Sequence, residues 1–242
     1  MLALVFLMVQ APSPPSPRTA NPERPTVATH AYTVAPGYAE LEQGARVFGV
    51  NGLGEGTAWD VNLKIGVRPG VQLGLFGAGY LRTGAGGGVG DVGLSLKVSR
   101  VLSPKAAIAV VPAMTVPSGD AARGLGAGRT LGSLVGVLSA DVPEGFHFDA
   151  NAGPVGIGAG QPQWFTSLGL AHGGVGPVGV AFELFDFTGG GAGPRQRGFL
   201  AALLVTVSQW VVVDGGGVRG LVGGTPDQLF VGMTTNLGRI FK

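Results

Sequence analysis

The chain has 242 residues, with 16 Lys and Arg against 14 Asp and Glu, a formal net charge of +2, and no cysteine. The absence of cysteine excludes disulfides and thiolate metal sites, and the basic residues are too scattered to indicate a nucleic-acid partner. Mean hydropathy is +0.37, yet no apolar run reaches the roughly 18 residues expected of a membrane-spanning helix. These features leave a buried soluble β core or a barrel whose outer face meets lipid.

The N-terminus resembles a secretory signal. Residues 2–9 form a short apolar run, and Val9-Gln10-Ala11 resembles a cleavage site with small residues, although no Lys or Arg precedes the run. The alternative is a floppy apolar terminus. We expect a signal peptide at residues 1–11 and a Pro-rich, mobile spacer that does not pack at residues 12–36, which contain PSPPSP and NPERP. Residues 37–242 are expected to form the barrel.

Short segments with a period of two follow from residue 38 onwards. Within residues 57–67, Val61 and Leu63 alternate with Asn62 and Lys64. Such alternation predicts strands, because successive side chains of a strand point to opposite faces. We predict twelve strands, at residues 38–49, 57–67, 71–81, 90–101, 106–116, 130–140, 146–155, 163–171, 178–187, 198–207, 209–218 and 228–240. The even count and the length of about ten residues are typical of a closed, up-and-down antiparallel transmembrane β-barrel of the outer membrane.

The connections between the predicted strands alternate strictly between tight turns and longer loops. Tight turns are expected at residues 68–70, 103–105, 142–145, 173–177 and 208–209, and longer loops at residues 50–56, 82–89, 117–129, 156–162, 188–197 and 219–227. One rim of an outer-membrane barrel has short periplasmic turns and the other has long extracellular loops. The pattern therefore predicts that both ends of the barrel chain lie on the periplasmic side.

Aromatic residues cluster near the ends of the predicted strands. This placement suits two girdles at the membrane interfaces. The long-loop ends carry Trp59, Tyr80, Trp164, Phe187, Phe199 and Phe230, and the short-turn ends carry Tyr38, Phe146, Trp210 and Phe241.

Several local patterns resemble the phenol-degradation outer-membrane transporters of the MetA-pathway type. Residues 88–97 (GVGDVGLSLK) resemble that family's GxGDxxLxxK strand start, and residues 112–120 (PAMTVPSGD) its strand ending in P-[ST]-G-D. Residues 225–227 (TPD) before LFVGMTTNL resemble its final hairpin. The resemblance implies an outer-membrane barrel that admits small hydrophobic or aromatic compounds. It also marks as family-motif turn residues Gly90, Asp91, Pro117, Gly119, Asp120 and Asp227.

The sequence motifs give little support for an enzyme. The glycine-rich runs lack the strand before and the helix after that a phosphate site requires. His147 and Asp149 share a strand face, with Ser95 or Ser99 conceivable across the barrel, which keeps an outer-membrane lipid hydrolase as a minor alternative. Three histidines give no metal signature. We expect no enzyme activity and no cofactor.

The alternation of side chains along the strands predicts a polar lumen. A lysine facing lipid at mid-bilayer would cost about 2–4 kcal/mol, so charged residues belong inside. The set that we expect to line a constriction comprises Asp60, Lys64, Lys97, His147, Asp149, Glu183, Asp214 and Asn236. Lys64 and Lys97 are expected to face the acids Asp149, Glu183 and Asp214 across a narrow gap. A network that merely fills the interior is the alternative.

The sequence therefore predicts an outer-membrane, porin-like passive channel or transporter for small, hydrophobic or aromatic molecules. The chain would be exported through its signal peptide in a Gram-negative-type bacterium. Expected partners are outer-membrane lipid, the barrel assembly machinery and a small apolar solute. A structural outer-membrane barrel with a plugged lumen is the main rival, and a soluble β-sandwich is a remote one.

Overall fold

The structure is a computed structural model that describes residues 17–49, 55–174 and 176–242. The predicted signal peptide lies outside the described residues. The strands are β1 (Tyr38–Phe48), β2 (Gly56–Arg68), β3 (Val71–Thr83), β4 (Gly86–Gly88), β5 (Val92–Ser103), β6 (Ala106–Val116), β7 (Leu131–Val142), β8 (Phe146–Ile157), β9 (Gln163–His172), β10 (Val178–Phe187), β11 (Gln196–Ser208), β12 (Val211–Gly220) and β13 (Gln228–Arg239). Two short 3₁₀ turns lie at Ala121–Arg123 and Pro143–Gly145.

The strands close into a barrel. Apart from β4 and β5, strands that follow each other in the chain pair antiparallel, β3 pairs directly with β5, and β1 pairs with both β2 and β13. β4 pairs only with the last three residues of β3 and is not a separate strand of the wall, so the wall has twelve strands. The prediction of a closed, twelve-stranded, up-and-down antiparallel barrel is confirmed. Among the described residues, no helix is long and apolar enough to cross a membrane.

Alternation along each strand separates an apolar exterior from a polar interior. On β5, Leu94 and Leu96 are exposed, while Lys97 is buried. The pleat puts such neighbours on opposite faces, and the same alternation recurs on the other strands with Val, Leu and Ile outside. The outer surface is therefore an apolar belt, and polar side chains such as Lys64, Glu183 and Asp214 are inside.

The two ends of the barrel differ as predicted. We call the end with the turns after β2, β5, β7, β9 and β11 the short-turn rim, and the other end the long-loop rim. Most strand boundaries differ from prediction by one or two residues; for example, β5 begins at Val92 rather than at residue 90, and β12 begins at Val211 rather than at residue 209. Residues 86–88, expected in a loop, form β4.

Only part of the predicted aromatic girdle faces outward. Trp59, Tyr80 and Trp164 are exposed near the long-loop rim. Phe187 and Phe230 instead face the interior and pack against a buried apolar cluster that includes Phe185. Both are at inward-facing positions of their strands. The distance of a residue from the strand end determines its height in the barrel, whereas the alternation of side chains determines whether it faces inward or outward.

Candidate functional site: the barrel interior

The interior holds a part of the chain that the sequence did not predict to be there. Residues 17–37, which we call the N-terminal segment, lie against inward-facing wall side chains. The amide of Ala20 donates to the carbonyl of Gln209 (2.8 Å), and that of Gly37 donates to the carbonyl of Gly66 (2.7 Å). Both contacts are at the short-turn rim, so the segment enters and leaves the barrel at the same end. The expectation of a spacer that does not pack is wrong for residues 17–36.

Wall side chains replace the strand partners that the backbone of this segment lacks. Glu183 accepts hydrogen bonds from the amides of Val27 (2.6 Å) and Ala28 (2.9 Å). Asn151 accepts from the amide of Thr29 at 3.2 Å and donates to its carbonyl at 2.9 Å. Buried backbone groups need such partners, so these side chains fix the path of the segment.

Wall side chains also accept hydrogen bonds from the later residues of the segment. The amide of Ala31 donates to Ser139 Oγ at 2.7 Å, and that of Val34 donates to Gln72 Oε1 at 2.9 Å. Ala31 also belongs to a buried apolar cluster with Ala107 on β6. Polar and apolar contacts therefore bind the segment to several parts of the wall.

Lys64 lies at the centre of an acidic cluster. Its Nζ is 3.0 Å from Glu40 and 2.9 Å from Glu42, both on the adjacent β1, and its side chain is fully buried. The ammonium also donates to the carbonyl of Asn21 at 2.8 Å. Lys64 thus connects the barrel wall to the N-terminal segment.

Lys97 is bound by the N-terminal segment itself. Its Nζ is 2.6 Å from the carboxylate of Glu23 and 2.6 Å from Thr29 Oγ1, and it donates to the carbonyl of His30 at 2.7 Å. The buried lysine therefore has its counterion on a segment rather than on the wall. A charge buried in this way requires pairing.

Asp214 is paired in the same manner. Its two carboxylate oxygens accept from Nε and Nη2 of Arg24, both at 3.2 Å. Asp60 pairs with Arg46 on β1 at 2.6 Å. Asn236 donates to Glu40 at 3.2 Å and accepts from the amide of Gly238 at 3.0 Å.

His147 lies next to two carboxylates. Its Nδ1 is 2.7 Å from Asp141 and its Nε2 is 3.3 Å from Asp149. Ser139 donates to Asp149 and not to the imidazole. Among the described residues, the hydrogen bonds of His147 are with acids, which is not the serine–histidine contact of a hydrolase.

The residues expected to line a constriction lie in the interior, but the geometry between them differs from expectation. Lys64 and Lys97 do not face Glu183 and Asp214 across an empty gap, because residues 20–34 lie between them. This segment supplies the countercharges of Lys97 and Asp214, whereas those of Lys64 come mainly from Glu40 and Glu42 on the wall. Sequence reasoning missed Glu23 and Arg24, together with the wall residues Glu40, Glu42, Gln72 and Ser139. Glu40 and Glu42 alternate with Leu41, a signal weakened because the next outward residue is the polar Gln43.

Two adjoining cavities lie between the N-terminal segment and the long-loop rim. They measure about 520 Å³ and 330 Å³ and share the lining residues Arg24, Thr26, Val27, Arg46 and Asp60. We call them together the vestibule. Phe76 lines the larger cavity, while the smaller has an apolar wall that includes Phe185, Phe187 and Phe230. The segment forms the inner boundary of this space.

The family-motif residues organise loops at the long-loop rim. Asp91 accepts from the amides of Gly119 (2.9 Å) and Ala127 (2.7 Å). Ser118, which follows Pro117 directly after β6, donates to the carbonyl of Gly90 at 3.2 Å. One carboxylate thereby ties the loop of residues 117–130 to the start of β5. Gly126 has no room for a side chain, because a Cβ there would lie 2.2 Å from the Asp91 carboxylate.

Two further motif residues act locally. Asp120 caps the short 3₁₀ turn by accepting from the amide of Ala122 at 3.0 Å. Asp227 accepts from the amide of Gly220 at 2.7 Å and pairs with Arg219. Neither residue lines the vestibule, so both are loop-forming residues.

Two solved structures with the same fold are an outer-membrane channel and a porin. A crystal structure of an outer-membrane channel from Pseudomonas putida F1 has a TM-score of 0.65 at 13% identity, over 88% of this chain and 100% of that chain. The KdgM porin has a TM-score of 0.58 at 9% identity, over 81% of this chain and 98% of that one. No protein-family model matches the chain, and no curated protein matches it. At such identities the likeness shows the fold.

Proposed function

We propose that this protein is a passive outer-membrane channel for small, hydrophobic or aromatic molecules. The observation that carries the proposal is the interior. A closed wall surrounds the vestibule, and the N-terminal segment, rather than bulky wall side chains, separates the vestibule from the short-turn rim. Solute would move by facilitated diffusion from the long-loop rim, with no chemical step and no cofactor.

The outer membrane is the proposed location. The apolar belt would meet outer-membrane lipid, and the barrel assembly machinery would recognise the closing strand β13. Export would require cleavage near Ala11, so the mature chain would start near Pro12. N-terminal sequencing of membrane-fraction protein tests this, and an intact Met1 in the cytosolic fraction would contradict it.

The lining of the vestibule favours uncharged solutes. Phe185, Phe187 and Phe230 offer an apolar surface, while Arg24 and Asp60 place both signs of charge nearby. A strongly charged solute meets repulsion from one sign, whereas a small apolar or aromatic molecule does not. The resemblance to phenol-degradation transporters supports the same class.

The N-terminal segment and the polar residues around it form the proposed constriction. The carboxylate of Glu23 lies 2.6 Å from the Nζ of Lys97 and 3.9 Å from the Nζ of Lys64. Passage would require the segment to shift or the solute to pass beside it. An engineered disulfide between the segment and the wall distinguishes these two cases. The native chain has no cysteine, so only the introduced pair can form a disulfide.

The experiment compares Ala31→Cys/Ser139→Cys with the single variant Ser139→Cys in planar bilayers. The amide of Ala31 is 2.7 Å from Ser139 Oγ, so the two residues are adjacent, as formation of a disulfide requires. If the segment moves during passage, oxidation should lower conductance and solute flux of the double variant, and reduction should restore both. The single variant should not respond to either treatment.

A second candidate is a structural barrel whose lumen is permanently closed. The contacts of residues 20–34 with both lysines and with Glu183 and Asp214 favour it. Wild type without conductance or flux, with no change in a variant that weakens these contacts, would support this candidate and overturn the channel. A hydrolase is not proposed, because the hydrogen bonds of His147 are with carboxylates.

A further inference from the structure

A groove of about 1010 Å³ crosses the outer surface of the barrel over β7 to β10. Its floor is a row of small, outward-facing residues. Gly136 pairs with Ala152, and Ala152 pairs with Thr166. These three small residues, in register, leave a depression beside a row that carries Leu138, Ala150, Leu168 and Leu184.

Leucines border the groove on the side of the short-turn rim. Leu138, Leu168 and Leu184 are each about half exposed and lie one row away from the floor. The surface inside the groove is therefore apolar. A depression along a row of small residues, bordered by larger apolar ones, suits an acyl chain rather than a folded protein.

The groove ends at a charged cluster. The row continues from Thr166 to Asp186 on β10 and to Arg197 on β11. A single oxygen of Asp186 is 3.2 Å from Arg195 Nη2 and 2.9 Å from Arg197 Nε. Two guanidinium groups share one carboxylate, which leaves one positive charge, and both arginine side chains are substantially exposed.

This charge is unlike that of the neighbouring pair at the same rim. Arg219 pairs with Asp227 one to one, so that pair is neutral. Each guanidinium has five N–H donors, and planar donors suit phosphate oxygens. The end of the groove is therefore complementary to an anionic phosphate, and the body of the groove is complementary to hydrocarbon.

We propose that the groove binds one membrane lipid with an anionic phosphate headgroup. Its acyl chain lies over Gly136, Ala152 and Thr166, and its phosphate accepts hydrogen bonds from Arg195 and Arg197. The inference rests on the proposed location in a membrane, but not on transport, because the groove is outside the lumen.

Native mass spectrometry of the full chain in neutral detergent tests the proposal. The probes are dioleoyl phosphatidylglycerol and dioleoyl phosphatidylcholine, which share their tails and differ in headgroup charge. Wild type should retain one phosphatidylglycerol in preference to phosphatidylcholine. Arg195→Ala/Arg197→Ala should weaken that binding by about tenfold or more, and the matched control Arg219→Ala should not.

A second variant tests the hydrocarbon part. Ala152→Trp would fill the floor of the groove and should lower retention of both lipids, while a circular dichroism spectrum and a thermal unfolding temperature equal to those of wild type would show that the barrel is folded. Equal weakening by Arg219→Ala, unchanged binding in Ala152→Trp, or displacement of the lipid by inorganic phosphate would each overturn the proposal. Loss of conductance in wild type bears on the channel alone, since the lipid measurement does not depend on it.

Discussion

Arg24 and Asp214 are 190 positions apart in the chain and form two hydrogen bonds of 3.2 Å inside the barrel. The carboxylate belongs to β12 and the guanidinium to the N-terminal segment. The side chain of Asp214 is only 2% exposed, so it depends on this partner. The pair is therefore a direct link between the wall and the segment that narrows the lumen.

Breaking this pair should loosen the segment. Hydrogen bonds to charged groups contribute about 1.5–3 kcal/mol, and Arg24→Ala should cost a similar amount because it leaves a buried carboxylate unpaired. A double-mutant cycle with Asp214→Ala, measured by unfolding titrations in lipid, gives the coupling energy. Additive single effects would show that the pair does not hold the segment. If the channel proposal is right, both single variants should also raise conductance.

Substitution of Lys64 should lower the free energy of unfolding far more than substitution of the exposed Lys105. Lys64→Met leaves Glu40 and Glu42 without their shared cation, and removal of one partner of a buried ion pair costs about 3–5 kcal/mol. Lys105→Met, in an exposed turn, is the matched control and should be close to neutral. Equal losses of unfolding free energy in the two variants would contradict the assigned role of Lys64.

Asp91 should control the order of one loop without affecting the wall. Asp91→Ala removes the acceptor of two loop amides, so limited proteolysis within residues 119–127 should become faster while the thermal stability of the barrel changes little. Asp120→Ala removes a single capping bond and should have a smaller effect. Proteolysis at the wild-type rate in Asp91→Ala would show that other contacts hold the loop.

The exterior should tolerate charge only near the rims. Leu96→Arg, on the outward face of β5, should cost about 2–4 kcal/mol in a bilayer because the charge lies in hydrocarbon. Leu102→Arg, beside the short-turn rim on the same strand, should cost about 0–1 kcal/mol. Unfolding titrations in lipid vesicles measure both. Similar penalties would show that this surface does not face a membrane.

The strands and their faces could be predicted from the sequence because both are local properties. The pleat makes the side-chain period two, so Leu94 and Leu96 are assigned outside and Lys97 inside from neighbouring residues alone. The alternation of turn and loop lengths likewise predicts the two rims. The inward placement of Lys64, Glu183 and Asp214 follows from the same rule.

The N-terminal segment could not be predicted in this way. It has no apolar period, and its proline-rich start is typical of a spacer. Its structure comes from contacts that span the chain, such as Thr29 with Asn151 and Val27 with Glu183, which are 122 and 156 positions apart. Only closure of the barrel brings these acceptors into one space.

The sequence by itself therefore determined the barrel, its polarity and the inward position of its charges, because a strand's pattern is written in adjacent residues. The tertiary structure alone decided what neutralises those charges. A buried lysine or carboxylate requires a partner, but the alternation of side chains along a strand does not determine whether that partner is on the wall or on a segment inside. Lys64 is paired mainly with Glu40 and Glu42 on the neighbouring strand. Lys97 and Asp214 instead find their partners in Glu23 and Arg24, since closure of the wall leaves room between the lysines and the acids for the backbone that carries them.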